Sequence, residues 1–282
     1  MAVSPGGYYA WRKRLTEPPR LRHRRMADLI RQSFWANRRR YGSRRISLEL
    51  KKQGIRVGRG AVRAVLKAEN LRAIAPKKFV PKTTDSKHGQ LASPNLLKLP
   101  ENKPHARASV IIGDITYLRL VSGEWCYLAV WQDKFTRRII GWAVAAQMTA
   151  ELVNSALRKG IAKGLIKANA IIHTDHGSQY VAGEFRALLA RHKFRQSMSG
   201  KGNCYDNAQA ESFFSRFKAE LVEDGTFSSV EEARSEIFGY IEGYYNTKRI
   251  HTGLGDKTPL EFEIELKIKE REKKSSLVST FT

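Results

Sequence analysis

The chain has 282 residues, and its 51 Lys and Arg against 27 Asp and Glu give a formal net charge of +24. This length accommodates one sizeable domain and a smaller one. The two cysteines, Cys126 and Cys204, belong to no Cys/His cluster, which excludes a disulfide framework and a structural zinc site. A charge of this size favours a polyanionic partner over a neutral small molecule.

Most of the positive charge lies in the N-terminal third, because residues 1–88 hold 24 Lys and Arg against five Asp and Glu. Residues 1–21 are basic and interrupted by prolines and glycines, so we expect an arm rather than a packed element. They lack the apolar stretch of a signal peptide, and no run elsewhere approaches a membrane span. We therefore expect a cytoplasmic protein.

Residues 22–75 carry helical periodicity and are predicted to form a small all-α domain. The first helix places four apolar residues on one face: Ala27, Ile30, Phe34 and Trp35. The run breaks at Gly42, Ser43 is the expected N-cap of a second helix, and a third helix begins near Arg59. Three short helices with a tight turn before the last one indicate a helix-turn-helix domain.

Two groups of basic residues in this domain are predicted to contact DNA. One group surrounds the start of the second helix and consists of Arg39, Arg40, Arg44 and Arg45. The other follows one face of the third helix at every fourth position and consists of Arg59, Arg63 and Lys67. A solvated basic face is the competing interpretation, and the concentration of charge in this third of the chain favours phosphate contact.

The periodicity changes after residues 76–106, a proline-containing stretch that we expect to be an extended linker. Residues 107–265 begin with three strand-like runs, which are 109–118, 125–133 and 137–144. Helices then alternate with short strands: a helix at 150–164, a strand at 170–175, a helix at 182–192, a strand at 194–198 and a long helix over 206–222. This order predicts an α/β domain with a mixed sheet flanked by helices. Residues 266–282 form a charged tail.

Three carboxylates in the predicted sheet domain are candidates for holding metal. Asp114 lies in an apolar strand, where an acidic residue is costly unless it is paired or ligated. Asp175 ends the short apolar run predicted as a buried strand at 170–175. Glu211 lies on the long helix, on a face expected to pack against the sheet. Phosphodiester cleavage uses two divalent ions held about 4 Å apart by shared carboxylates. Magnesium prefers such oxygen ligands.

The spacing of these carboxylates and the sequences around them resemble those of a known family. The stretches that carry the resemblance are GDITYL around Asp114, HTDHGSQY around Asp175, SMSGKGNCYDNAQAESFFSRFKAEL around Glu211, YYNTKRIHTGLGDKTPLEF over 244–262, and the N-terminal GYYAWRKR and RRYGSRRISLELKKQGIRVGRGAVRAVLKAENLRA. They are similar to the OrfB-type transposases of the insertion-sequence three family, within the DDE transposases and retroviral-type integrases. The resemblance extends from about residue 4 to residue 265.

This resemblance implies a ribonuclease H-like catalytic core in which Asp114, Asp175 and Glu211 are the metal ligands. It implies two Mg²⁺ ions, with Mn²⁺ as a substitute, and cleavage of double-stranded DNA at the ends of the element. The freed 3′-hydroxyl then carries out strand transfer, with no nucleophile on the protein. The resemblance further implies a homo-oligomer on paired ends, a partner protein or fusion from an upstream reading frame, and a bacterial, nucleoid-associated location when DNA is bound.

Several other residues have two interpretations. Asp133 is either a fourth acidic contributor or, as we favour, a turn residue at a strand end. Lys201, Asn203 and Asn207 either contact the DNA end or only shape their loop. Arg249 and His251 follow an aromatic-rich helix and are candidates for contact with the DNA backbone. Asp206 or Asn207 is expected to cap the helix of Glu211.

Two departures from the family pattern concern the packing near the site. In the family a Trp often stands shortly before the first Asp, where this chain has Val110, Ile111 and Ile112. Residues 129–138, AVWQDKFTRR, stand where the family usually has a more apolar run. The alternatives to a transposase are a catalytically silent DNA-binding repressor derived from one, and a nuclease of the same fold acting on RNA–DNA hybrids. A repressor has no need of all three carboxylates, and the basic helix-turn-helix domain favours duplex DNA over a hybrid.

Overall fold

The structure is a computed structural model that describes residues 4–16, 21–76, 93–102, 104, 106–200, 208–222 and 226–279. The chain divides into two compact units, Met1–Ile74 and Ala75–Thr282. None of the helices within these ranges is both long enough and apolar enough to cross a bilayer.

The secondary-structure elements of the first unit are all helices, within its described residues. Its helices are α1 (Pro5–Thr16), α2 (Leu21–Ala36), α3 (Ser43–Lys52) and α4 (Arg59–Ala68). The last three helices pack against one another, because each buries an apolar stripe with helical spacing. The core of the unit consists of Ile30, Phe34, Ile46, Leu50, Val62 and Leu66. This arrangement is the predicted three-helix domain.

Two local predictions for this unit were wrong, the N-cap of α3 and the inward position of Trp35. Residues 5–16 form a helix whose described side chains are exposed, and Pro5 suits its first position because its missing N–H needs no partner there. The N-cap of α3 is Gly42, with an extended backbone and no side-chain cap, so Ser43 is the first helical residue. Trp35 is exposed, because Phe34 already occupies the inward position on that turn.

The second unit is built on a five-stranded mixed sheet. Its strands are β1 (Val110–Arg119), β2 (Trp125–Asp133), β3 (Ile139–Ala145), β4 (Ile171–Thr174) and β5 (Arg195–Met198), in the spatial order β3-β2-β1-β4-β5. Neighbours among β1, β2 and β3 are antiparallel, whereas β4 is parallel to both β1 and β5. The short parallel strand β4 is buried along its whole length, as strands covered on both faces usually are.

Helices cover both faces of this sheet. They are α5 (Ala150–Ala162), α6 (Ser178–Val181), α7 (Gly183–Arg191), α8 (Ala208–Phe217), α9 (Val230–Tyr240) and α10 (Pro259–Ser279). On one face the indole nitrogen of Trp131 donates a hydrogen bond to Val153 O of α5 at 3.0 Å. On the other face the next residue, Gln132, accepts one from Gln209 of α8 at 3.1 Å. Because successive strand residues point to opposite faces, these two contacts place α5 and α8 on opposite sides.

The stretch predicted as a linker is shorter than expected. Residues 93–102 belong to the second unit and contain two turns of 3₁₀ helix, at Leu96–Lys98 and Pro100–Asn102. Leu96 N donates a hydrogen bond to Ser197 Oγ at 3.0 Å, and Ser93 Oγ donates one to Gln196 Oε1 at 2.9 Å. These contacts attach the segment to the edge strand β5. At the other end, the predicted tail continues α10 to Ser279.

Candidate active site

The sheet brings Asp114 and Asp175 together. Strands β1 and β4 are parallel and pair Ile112 with His173, and each aspartate lies two residues further along its own chain. Asp114 is therefore within β1 at the level where β4 ends, and Asp175 is the first residue after β4. Both side chains are half-buried. The carboxyl ends of parallel strands are the usual position of active sites in open α/β sheets.

A tight turn holds the Asp175 carboxylate. Its Oδ1 accepts a hydrogen bond from Gly177 N at 3.0 Å. A Cβ at residue 177 would lie 2.9 Å from Gln179 Oε1 and 3.2 Å from Asp175 Oδ1, so only glycine fits without displacing the carboxylate. The ring of His176 hydrogen-bonds Ser199 O and attaches the turn to the chain leaving β5.

Glu211 reaches this site from α8, which packs against β1. The helix buries Ala210, Phe213, Phe214 and Phe217 on the sheet side. This packing leaves Glu211 on the exposed side of the helix, not on the packed face predicted from its neighbours. Its carboxylate is nonetheless near enough to Asp114 for its charge to act there.

Negative charge dominates the electrostatics at Asp114. Burial and then the charge of Asp175 raise the pKa of Asp114 well above its usual value, and the charge of Glu211 raises it further. The hydrogen bond from Ile115 N, at 2.8 Å, and the charge of Lys218 act in the opposite direction on this pKa. Burial also raises the pKa of Glu211.

The three carboxylates have the right chemistry for a hard divalent cation, which takes oxygen ligands. In the described parts of the chain, however, no three side chains of the types Asp, Glu, His and Cys are close enough together to hold one ion. Asp114 and Asp175 are thus the closely placed pair, and Glu211 stands at a greater distance on its own helix.

Lys218 is a site residue that the sequence reasoning missed. It opens a π-helical turn, Lys218–Val222, that continues α8. Its ammonium lies 4.5 Å from the ring centroid of Tyr117, and burial lowers its pKa while the charge of Asp114 opposes that shift. The available signal was its position seven residues after Glu211, which is about two helical turns and therefore the same side of the helix.

Aromatic rings pack on the α5 face of the sheet, next to the turn that holds Asp175. Trp131 stacks on Phe185 with ring centroids 5.8 Å apart, and Tyr180 meets both rings at an angle. The Tyr180 hydroxyl is buried and has no hydrogen-bond partner among the described residues. Burial, together with the charges of Asp175 and Asp114, raises its pKa well above the usual value.

The residues predicted to contact DNA in the first unit have different degrees of exposure. The exposed ones are Arg39, Arg44, Arg59, Arg63 and Lys67. Arg45 is half-buried, with its guanidinium 5.6 Å from the ring centroid of Tyr41. Arg40 is only 8% exposed, so the structure does not present it to a phosphate. All three predicted contacts on α4 are therefore accessible, whereas only Arg39 and Arg44 of the other group are exposed.

Other predicted positions in the second unit are placed differently. Arg249 is buried at 4% exposure in an ion pair with Glu220, which contradicts the predicted contact with DNA. Asp133 is a turn residue, since its carboxylate accepts hydrogen bonds from Ala108 N and Phe135 N, both at 2.9 Å. Lys201, Asn203, Asp206 and Asn207 lie outside the described residues, as does Cys204.

The sequence matches known families over nearly its whole length. Residues 104–204 and residues 192–259 each match an integrase core domain, and residues 22–79 match an HTH-like domain. The transposase InsF of insertion sequence IS3A from Escherichia coli K12 is 39% identical over 267 residues, covering 93% of this chain and 91% of that protein. The transposase of IS904 from Lactococcus lactis is 37% identical over 238 residues, covering 84% of this chain and 93% of its own.

Solved structures of viral integrases are among the structures to which this chain is similar, at low identity. The simian T-cell lymphotropic virus intasome with PP2A regulatory subunit B56 gamma has a TM-score of 0.46 at 16% identity and covers 83% of this chain and 73% of that one. The HTLV-2 integrase catalytic core with magnesium has a TM-score of 0.44 at 15% identity and covers 57% and 99%. On its sequence matches, the chain belongs to the IS3 family of insertion-sequence transposases, DNA-binding polynucleotidyl transferases of the DDE type with an integrase core and an N-terminal helix-turn-helix-like domain.

Proposed function

We propose that Asp114, Asp175 and Glu211 are the catalytic carboxylates of this transposase. The observation that carries the proposal is the parallel register of β1 and β4, which puts Asp114 and Asp175 at one point beside the helix of Glu211. The charges of Asp175 and Glu211 both act on Asp114, and a divalent cation would balance this negative charge. No Ser or Tyr on the chain is required as a nucleophile, because water and then a DNA 3′-hydroxyl serve in the two steps.

Two Mg²⁺ ions are the cofactors that this set of ligands would hold, with Mn²⁺ able to replace them. When bound, such ions stabilise charge on the attacking and leaving oxygens of a phosphodiester displacement. The chain's own contribution is to fix the ligands. The turn at Gly177 orients Asp175, and α8 carries Glu211 to the edge of the site.

Contacts with DNA come from both units. Lys218, adjacent to Asp114, would neutralise a phosphate near the scissile bond, and the ring of Tyr117 beneath it would hold its ammonium in place. In the first unit, the exposed face of α4 would contact the backbone of the terminal repeat through Arg59, Arg63 and Lys67. Lys201 and Asn203 remain proposed contacts in the segment that precedes α8.

The assembly that acts on DNA is proposed to be a homo-oligomer, because two ends of one element must be cut and joined together. A partner protein or fusion from an upstream reading frame is also proposed, on the sequence resemblance alone. It would supply an oligomerisation segment, since no leucine-zipper heptads occur in this sequence.

Cleavage of a labelled duplex that carries the host element's terminal repeat tests the proposal. Reactions contain Mg²⁺, Mn²⁺ or a chelator, with and without the upstream partner. The wild-type chain is expected to yield metal-dependent nicked and strand-transfer products, whereas Glu211→Gln binds the duplex and yields neither. Glu184→Gln is the matched control, because Glu184 is an exposed helical glutamate on α7.

Binding without cleavage in every condition, with partner present, would favour the silent repressor instead. A repressor has no need of all three carboxylates, and this sequence keeps them.

A further inference from the structure

A buried ion pair lies directly behind the candidate site. The guanidinium of Arg249 donates three hydrogen bonds to the carboxylate of Glu220, at 2.8, 3.1 and 3.2 Å. The Arg249 side chain is 4% exposed and the Glu220 side chain 2% exposed. The hydroxyl of Tyr240 donates a further hydrogen bond to Glu220 Oε2 at 2.9 Å. Such a charge pair is tolerated in a protein interior only when its hydrogen bonds are satisfied, as here.

The partners of this ion pair come from two parts of the chain with the same irregular backbone. Glu220 belongs to the π-helical turn Lys218–Val222, which continues α8. Arg249 follows a second π-helical turn, Ile241–Tyr245, which continues α9. Single π-helical turns are rare and occur often at functional sites. The ion pair thus joins the two places where the helices depart from α-helical geometry.

Further contacts hold α8 along the same surface. Phe217 meets the ring of Tyr240 with centroids 5.3 Å apart, and Phe213 meets that of Tyr245 at 4.9 Å. At the start of the helix, Gln209 donates to Gln132, which in turn donates to the Tyr245 hydroxyl at 2.9 Å. The aromatic contacts fix the distance of the helix from its neighbours, and the ion pair fixes where the helix ends.

We propose that Arg249 is a positioning residue whose ion pair with Glu220 holds the turn Lys218–Val222, and thereby places Lys218 and Glu211 relative to Asp114. Lys218 is two residues before Glu220 in the same turn. A shift of the Glu220 carboxylate would therefore also shift the Lys218 ammonium, which lies near Asp114. This inference rests on the proposed function of the carboxylates. It also gives a role to Arg249 that replaces the predicted contact with DNA.

An ion pair suits this role better than apolar packing. Replacing a buried pair by uncharged groups of similar volume is often neutral for stability, whereas removing one partner alone is strongly destabilising. Stability and placement can therefore be separated by a double variant. A bidentate guanidinium also fixes direction, which an apolar contact between flexible side chains does not.

The test compares the double variant Glu220→Gln/Arg249→Met with the wild-type chain. Gln at 220 keeps an acceptor for the Tyr240 hydroxyl, and Met at 249 keeps the volume of the side chain. The matched control is Glu263→Gln/Arg138→Met, which removes another shielded ion pair, 2.5 Å long, between the start of β3 and α10. Arg249→Lys is a second variant that keeps both charges and loses the bidentate geometry.

Two readouts separate positioning from general stability. Hydrogen exchange of peptides covering 208–222 reports local opening of α8 and the turn, and the melting temperature reports the whole unit. Single-turnover cleavage gives the maximal rate and the DNA concentration at half-maximal rate. Loss of a group that orients metal ligands commonly reduces activity about 10- to 100-fold.

We expect the double variant to melt near the wild-type temperature, to exchange at least about 10-fold faster over 208–222, and to cleave about 10- to 100-fold more slowly at unchanged DNA affinity. The exchange and cleavage rates of Arg249→Lys are expected to lie between those of the double variant and the wild type. The control double variant is expected to match the wild type in both rates. If the double variant folds and has the exchange and cleavage rates of the wild type, the proposal is overturned. If the double variant does not fold, the same result in Arg249→Lys would overturn it. If the wild-type chain itself fails to cleave, the exchange measurement still decides the positioning.

Discussion

Gly113 lies directly opposite Trp131 on the neighbouring strand, and the indole ring occupies the space where a side chain at 113 would be. A Cβ on residue 113 would stand 2.2 Å from Cζ3 of the ring. The ring is fully buried, stacked on Phe185 and hydrogen-bonded to Val153 O. The packing of this aromatic cluster against the sheet therefore depends on a glycine next to the first aspartate.

Gly113→Ala is expected to destabilise the catalytic unit by about 1 to 3 kcal/mol, because the ring cannot move without losing its stacking and its hydrogen bond. Thermal denaturation checks this. Gly239→Ala is the control: nothing lies within 4 Å of a Cβ there, and Ala in the interior of α9 is expected to stabilise by about 0.5 to 1 kcal/mol. A Gly113→Ala chain that melts with the wild type would contradict the packing.

Mg²⁺ is expected to raise the melting temperature of the wild-type chain, because an ion that binds only the folded state stabilises it by mass action. At ten times the dissociation constant the gain is about 1.4 kcal/mol, or roughly 3 to 6 °C for a unit of this size. Asp114→Asn removes a ligand and should abolish the shift, while Glu184→Gln should retain it. An equal shift in the Asn variant would place the ion elsewhere.

Arg63→Ala is expected to weaken binding of the terminal repeat and to reduce the slope of log affinity against log salt by about 1, because one phosphate contact is lost. The measurement is fluorescence anisotropy at several salt concentrations. Arg31→Ala is the control, since Arg31 is already paired with Asp28 at 2.6 Å and Glu69 at 3.1 Å. If both variants change the slope equally, the α4 face has no special role.

Lys218→Gln is expected to reduce the maximal rate of cleavage more than it reduces binding of the whole duplex, because its ammonium lies near enough to Asp114 for the two charges to interact. Lys218→Arg should recover most of the rate. Lys159→Gln is the control, because Lys159 also lies over an aromatic ring, 4.9 Å from the centroid of Trp142, on the opposite side of the sheet domain from α8. A Gln variant with the wild-type rate would remove Lys218 from the site.

Local patterns in the sequence predicted the elements that local physics determines. Strand β2 was predicted with the bounds observed, because its run of apolar and aromatic residues is buried on both faces. The sequence pattern put Asp114 within one strand run and Asp175 at the end of another, and the pairing of β1 with β4 brings the two strands side by side. The predicted fold class was confirmed, as was the transposase family.

The features that the sequence did not predict depend on contacts between distant residues. The π-helical end of α8 accompanies an ion pair between residues 29 positions apart, so nothing within the helix marks it. Arg249 is a residue type that often contacts DNA. It is buried here because it forms an ion pair with Glu220. Residues 93–102 look like a linker until their hydrogen bonds to β5, about 100 positions away, are considered.

Single-turnover cleavage of the terminal repeat by Asp114→Asn, Asp175→Asn and Glu211→Gln, with DNA affinity measured in the same mixtures, tests the central claim most directly. Each amide keeps the size of the side chain and removes the charge that would hold a divalent ion. We predict that all three variants bind the duplex with wild-type affinity and cleave it at least about 100-fold more slowly in Mg²⁺. Wild-type cleavage by any one of them would contradict the assignment of that carboxylate to the active site.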